Sequence, residues 1–418
     1  MRYAIAGVGP ISAAVAQFAL TLVLLRHLDV AAFGTFGFLL VVSQFSLGIW
    51  SALLCAPLPV LENLSHENPD APNFSDSLFA VNLLGSAVVA IGFGVLAWQL
   101  EMRAATAALF AGYAGAALLR WFARANAYVA GQPLRTLTSD LVYSGTLALG
   151  VLYLIFDSAD ALGTATFVLL LGAVLGMVPF GWSFARSQFR LSLWRDLTSY
   201  RAVWQGQARW SVLGVATSEL TGNAHVYIVT AVYGPSSYAA IAASALLVRP
   251  ITVIQNALTE FERPQMARQV RERNLAGLQS NARIFMAALV AAWLATAVAS
   301  ALVLAFVPRL IFPPQYDLWT LELTAALWLA VALARLVRTP GSTLLQAGGL
   351  FRELANTSIA SAVVSVVAVV LLVAVAGSLW SIAGILLGEL ICAFLIARTT
   401  RSWFDQIGKV QDAADDRD

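Results

Sequence analysis

The sequence predicts an all-α polytopic membrane protein, with about 12 transmembrane helices in two six-helix pseudo-symmetric bundles around a central cavity and both termini cytoplasmic. Three observations carry that expectation. Hydrophobic residues fill 59% of the 418 positions and charged residues only 11%, against about 25% charged in soluble domains, and mean hydropathy is +0.77. Apolar runs close to the ~20 residues that a bilayer core demands recur along the whole chain. Landmarks of the first half also return, in order, in the second.

The spans run approximately over 4–25, 33–60, 78–98, 104–129, 136–156 and 161–185, then over 207–232, 237–260, 284–307, 317–342, 354–375 and 378–398. The first follows a lone Arg2, but its apolar run exceeds the core of a signal peptide and eleven spans follow it, so it reads as a retained helix. The expected organisation is a six-helix bundle over 1–185, an amphipathic cytoplasmic linker over 186–206, a second bundle over 207–400 and a cytoplasmic tail over 401–418. In the linker Leu193, Trp194, Leu197, Tyr200 and Trp204 recur at helical spacing with arginines around the rest of the wheel, the pattern of a helix lying on the inner leaflet.

Orientation follows from the arginines. One set of loops carries Arg2, Arg135, a run from Arg186 through Arg190 and Arg195 to Arg209, a run from Arg263 through Arg273 to Arg283, then Arg352, Arg398, Arg401, Lys409 and Arg417. The alternate set carries Arg26, Arg103 and Arg309. The richer set is cytoplasmic by the positive-inside rule, and an even number of spans follows. The loop over 61–78, with Glu62, Glu67, Asp70 and Asp76, is placed inside as well, because acidic residues weigh little in that rule.

The repeat shows in the outside turns. A shift of 205 positions carries Ala31-Ala32-Phe33-Gly34 onto Ser236-Ser237-Tyr238-Ala239 and Pro59 onto Pro264. AGQPLR, Ala130 to Arg135, closes the fourth span, and AGGLFR, Ala347 to Arg352, closes the tenth at a shift of 217. Six is even, so both halves enter the membrane in the same direction, the parallel-repeat arrangement of alternating-access transporters with the substrate path between the halves.

Several chemistries find no support. Cys55 and Cys392 fall inside separate spans without CxxC spacing, and the three histidines are scattered, so neither a disulfide framework nor a metal is expected. The longest outside loop, near Pro308 to Asp317, offers no nucleophile with its base, and no phosphate-cradling glycine loop occurs, so neither an enzyme nor direct ATP use is expected.

R-x-L-x-x-x-x-F-G at Arg26 to Gly34, GPSSYA at Gly234 to Ala239, ERPQMARQVRER after the eighth span and RTPGSTLLQAGGLFR closing the tenth cover nearly the whole chain. Together they resemble the polysaccharide transporter branch, the O-antigen and exopolysaccharide flippases, of the multidrug/oligosaccharidyl-lipid/polysaccharide exporter superfamily. The chain departs from that pattern at Asp29-Val30, where the family shows Gly-Pro, and at His225, where an acidic residue is common. The resemblance implies movement of an undecaprenyl-pyrophosphate-linked oligosaccharide from the inner to the outer leaflet of a bacterial inner membrane, by alternating access and without a cofactor. Its implied partners are that lipid-linked sugar, membrane lipids, a proton or sodium counter-ion and a polysaccharide polymerase or export machinery, with no nucleic acid. A multidrug exporter of the same superfamily and a multispanning polymerase or ligase are the alternatives. A negative-inside potential drives an anionic headgroup outward by about 2.3 kcal/mol per charge per 100 mV.

An ionisable side chain at mid-membrane costs about 2.5–3.5 kcal/mol, so it needs a cavity or a partner. Arg249 sits mid-span in LLVRPITV, beside Pro250, which removes a backbone donor and would loosen the helix. Its guanidinium either grips a pyrophosphate oxygen bidentately or pairs with Glu219 on the seventh span. Arg120 and Arg124, four apart, share a face of the fourth span, and Arg335 lies at comparable depth on the tenth. Arg249, Arg120, Arg335 and Arg124 are the candidates for a cationic substrate cavity, although Arg124, like Arg338, is placed to snorkel toward the inner surface. Glu219, Asn223 and His225 are candidates for ion coupling, or for an ion pair or buried polar patch that satisfies itself across helices. Gln17, Gln44 and Asn82 read as helix-to-helix hydrogen bonders.

Overall fold

In the computed structural model, which describes residues 2–58, 75–157, 159–189, 193–272 and 274–415, every long apolar run folds as a helix and no strand occurs among the described residues. Pro59, the acidic Glu62, Glu67 and Asp70, and the basic Arg190, Arg273 and Arg417 lie outside them, as does the side chain of Arg195. The chain divides into two units, Met1–Ala216 and Thr217–Asp418.

The first unit holds α1 (Arg2–His27), α2 (Val30–Trp50), α3 (Ser75–Gln99), α4 (Ala104–Val129), α5 (Pro133–Phe156) and α6 (Ala161–Leu175). Two shorter helices follow, α7 (Gly181–Gln188) and α8 (Leu193–Val203). Helix α4 packs between α3 and α6, and α1 lies along α5. Trp50, Leu54, Phe122 and Val203 are buried together at the centre of one cluster.

The chain then passes through a π turn, Trp204–Ala208, into α9 (Arg209–Tyr233), which runs across the unit boundary. The second unit continues with α10 (Pro235–Arg271), α11 (Leu275–Phe306), α12 (Leu318–Ala347), α13 (Phe351–Ala376) and α14 (Ser381–Asp415). Helix α12 packs on α10, α11 and α14, while α13 lies along α14.

Among the described residues, ten helices are long and apolar enough to cross a membrane by length and composition. The two long helices outside that set are α4 and α9, which carry Arg120 and Arg124 and Glu219, Asn223 and His225; the polar residues that mark them as sites also dilute their apolar runs. Phe156 and Val375 expose 82% and 87% of their surface, which suits hydrocarbon rather than water as the solvent.

The α1–α2 and α9–α10 turns reach the same register by different means. Asp29 caps α2 by accepting the Ala32 N–H at 2.7 Å, whereas Gly234 enters α10 at φ +81 with Pro235 in the first turn. The departure at Asp29-Val30 is therefore a side-chain cap in place of a glycine-proline start. At the other end of the repeat, Gly131 at φ +70 and Gly349 at φ +77 turn the chain from α4 to α5 and from α12 to α13. The structural register is thus Gly131 to Gly349, one position beyond the 217 that the sequence alignment suggests, because the left-handed turn falls on the second glycine of AGGLFR.

Three boundaries differ from expectation. Helix α14 continues without a break into the tail, to Asp415, and α11 starts at Leu275. The linker does not form one surface helix: the Tyr200 hydroxyl donates to the Leu53 carbonyl at 2.9 Å and Val203 is buried against α2, α3 and α4, so helix α8 seals the first unit. The side chains of Leu193 and Trp194 are outside the described residues.

Candidate functional site

Each unit buries one carboxylate between two arginines. In the first, Arg120 and Arg124 stand one turn apart on α4 and both reach Asp140 on α5. Arg120 Nη2 donates to Asp140 Oδ1 at 2.5 Å and Arg124 Nη2 donates to Oδ2 at 2.8 Å. Arg120 Nε also donates to Ser139 Oγ at 3.0 Å, and its guanidinium lies 4.4 Å from the centre of the Tyr143 ring. Asp140 is 2% exposed in its side chain and the two arginines about a tenth.

Two glycines make room for this cluster. A Cβ on Gly9 of α1 would stand 2.6 Å from Asp140 Oδ2, and one on Gly176 would stand 2.6 Å from Arg120 Nε. Arg124 therefore does not snorkel to the surface; its guanidinium is held by the buried Asp140 carboxylate.

In the second unit Arg335 and Arg338 of α12 share Glu389 of α14: Arg335 Nε donates to Oε1 and Arg338 Nε to Oε2, each at 2.8 Å. Glu389 is 1% exposed, the arginines 29% and 30%. A glycine again faces the cluster, since a Cβ on Gly222 of α9 would meet Arg335 Nη2 at 3.0 Å. Arg338, like Arg124, is held by a buried carboxylate instead of snorkelling. Both clusters carry two guanidiniums over one carboxylate, so each retains one surplus positive charge.

Arg249 is different. It is partly buried on α10, which stays helical through Pro250, and it forms no ion pair or hydrogen bond with a described residue. The pairing of Arg249 with Glu219 is not formed. Glu219 instead accepts from Tyr227 Oη at 2.6 Å and Asn223 Nδ2 at 3.1 Å, residues eight and four positions on along α9.

His225 faces elsewhere. It is 1% exposed, its ring lies 5.2 Å from that of Trp328 and 6.2 Å from that of Tyr238, and both ring nitrogens are buried without a hydrogen-bond partner. The expected trio thus divides, with Glu219 and Asn223 together and His225 in an aromatic setting. Among the uncharged polar residues, Asn82 accepts from Trp50 Nε1 at 2.7 Å and donates to Gln188 Oε1 at 2.6 Å, a relay between helices, while Gln44 is exposed.

Asp140 and Glu389 are the residues that the sequence reading missed. Both are lone carboxylates within apolar spans, and the cost of such a charge was the available signal.

No family model matches the sequence, and no curated protein matches it significantly. Solved structures do. An inward-facing multidrug resistance MATE family transporter of the MOP superfamily aligns with TM-score 0.67 at 13% identity, over 95% of this chain and 96% of its own. A MOP superfamily transporter from Pyrococcus furiosus, reported to have a binding pocket of reverse polarity that suggests a different function, aligns with TM-score 0.63 at 14% identity, over 97% and 95%. A eukaryotic MATE transporter aligns with TM-score 0.58 at 13% identity, over 98% and 96%. The chain has the fold of the MATE transporters of the MOP superfamily.

Proposed function

We propose that this protein is a transporter, and that it moves an anionic lipid-linked oligosaccharide of the undecaprenyl-pyrophosphate class from the cytoplasmic to the periplasmic leaflet of a bacterial inner membrane. The observation that carries the reading is Arg249, a mid-span guanidinium without a carboxylate partner among the described residues. Such a charge is costly in an apolar span unless a ligand completes it, and a guanidinium fits two oxygens of a pyrophosphate. The surplus positive charge of each cluster, Arg120–Arg124–Asp140 and Arg335–Arg338–Glu389, favours the same substrate sign.

In this scheme Arg249 grips the headgroup and the potential across the membrane drives it outward. Arg120, Arg124 and Arg335 act chiefly through the field of their clusters. Glu219, which meets no cation among the described residues, takes the counter-ion, a proton or sodium, with Asn223 and Tyr227 as its hydrogen-bond partners.

The same carboxylate favours a second reading, export of cationic drugs, and a multidrug resistance MATE family transporter is among the structural neighbours. The two separate in cells: deleting the gene should strand lipid-linked oligosaccharide on the cytoplasmic leaflet. Unimpaired export in a strain without a redundant flippase, together with new drug sensitivity, would support the second reading.

A further inference from the structure

We propose that the second unit carries an anionic-phospholipid site at the basic end of α12 and α14, separate from Arg249 and independent of the transported substrate. A cavity of about 380 Å³ opens there, lined by Gln279, Arg338, Gly341, Thr400, Arg401 and Phe404. Its lining includes polar and cationic residues. The rest of the lining, including Ile396, Ala393 and Phe404, is apolar.

The cationic residues have unused donors. Arg338 commits its Nε to Glu389, which leaves its two terminal amines for the cavity. Arg401 is exposed and forms no ion pair among the described residues, even with Asp405 one turn on along the same helix. Thr400 Oγ1 is buried yet has no hydrogen-bond partner. It stands where Gly341 leaves space: a Cβ on that glycine would meet Ile396 at 2.9 Å and Thr400 Oγ1 at 3.1 Å.

Two guanidiniums, a hydroxyl and a carboxamide belong to the lining of this one cavity, a donor set suited to phosphate oxygens. The surplus charge on the Arg335–Arg338–Glu389 cluster and the charge of Arg401 sum to two positive, and Asp405 in the lining lowers this to one. That balance matches a singly charged phosphodiester with no cation of its own. The apolar part of the lining suits an acyl chain, and basic pockets between spanning helices at the cytoplasmic end are a recurrent setting for anionic lipid headgroups.

The test uses the full-length protein in neutral detergent, titrated with short-chain phosphatidylglycerol, short-chain phosphatidylethanolamine or inorganic phosphate, while tryptophan fluorescence follows thermal unfolding. Phosphatidylglycerol should raise the unfolding temperature saturably, and Arg401→Gln and Thr400→Val should each weaken half-saturation about tenfold, the scale of one lost charge-assisted contact. Both variants retain the Arg338–Glu389 pair, so they should fold. An equal response to phosphatidylglycerol in both variants and wild type would overturn the site. Saturation by inorganic phosphate at the same concentration, or by phosphatidylethanolamine, would overturn the assignment to an anionic lipid.

Discussion

Arg335 and Glu389, 54 positions apart, meet in the second unit with Nε 2.8 Å from Oε1, and the carboxylate is fully committed because Arg338 takes its other oxygen. Removing one partner from such a buried group leaves charge without compensation. Glu389→Gln should therefore destabilise the protein by about 3–5 kcal/mol, read as a drop in unfolding temperature, with Asp140→Asn doing the same in the first unit. A variant carrying Glu389→Gln and Arg335→Gln together should recover part of the loss.

The glycines that face these clusters yield a second expectation. Gly9→Ala sets a methyl group 2.6 Å from Asp140 Oδ2, and overpacking of this kind costs about 1–3 kcal/mol. Gly92→Ala, at a position with nothing within 4 Å, is the control and should be neutral or slightly stabilising.

The carboxyl of Asp317 caps α12, accepting the Thr320 N–H at 2.9 Å and the Thr320 hydroxyl at 3.0 Å, and these bonds hold its pKa below the ordinary 3.8. A depressed folded pKa means that the cap stabilises the helix start above the ordinary value and is lost as pH falls through the depressed one. Carboxyl carbon shifts followed against pH should give an Asp317 midpoint below 3.8, and Thr320→Ala should move it upward.

Orientation is testable by labelling. With Cys55→Ala and Cys392→Ala as background, an impermeant maleimide should label Arg103→Cys in intact cells and Arg186→Cys only after permeabilisation. Arg103 is exposed and its surface pairing with Asp160 contributes little, so the first substitution should be benign.

Helix number, the α1–α2 and α9–α10 turns and the i, i+4 face of Arg120 and Arg124 were legible in the sequence, because each is a local property of spacing and polarity. Partners were not. Asp140 lies 16 residues from Arg124 and Glu389 51 from Arg338, and which helix meets which is decided by tertiary packing. The separation of His225 from Glu219 was closer to hand: six positions on a helix turn the two onto different faces. The Arg249 environment could be read only in part, since mid-span depth was visible while the company Glu219 keeps was not.

The most direct test of the account is Arg249→Ala in a strain that depends on this protein, with membrane insertion checked on the same cells and the leaflet position of lipid-linked oligosaccharide measured. The account predicts normal insertion with the oligosaccharide held on the cytoplasmic leaflet, and partial recovery in Arg249→Lys, which restores the charge without the bidentate fork. Near-normal transport by correctly inserted Arg249→Ala would contradict it.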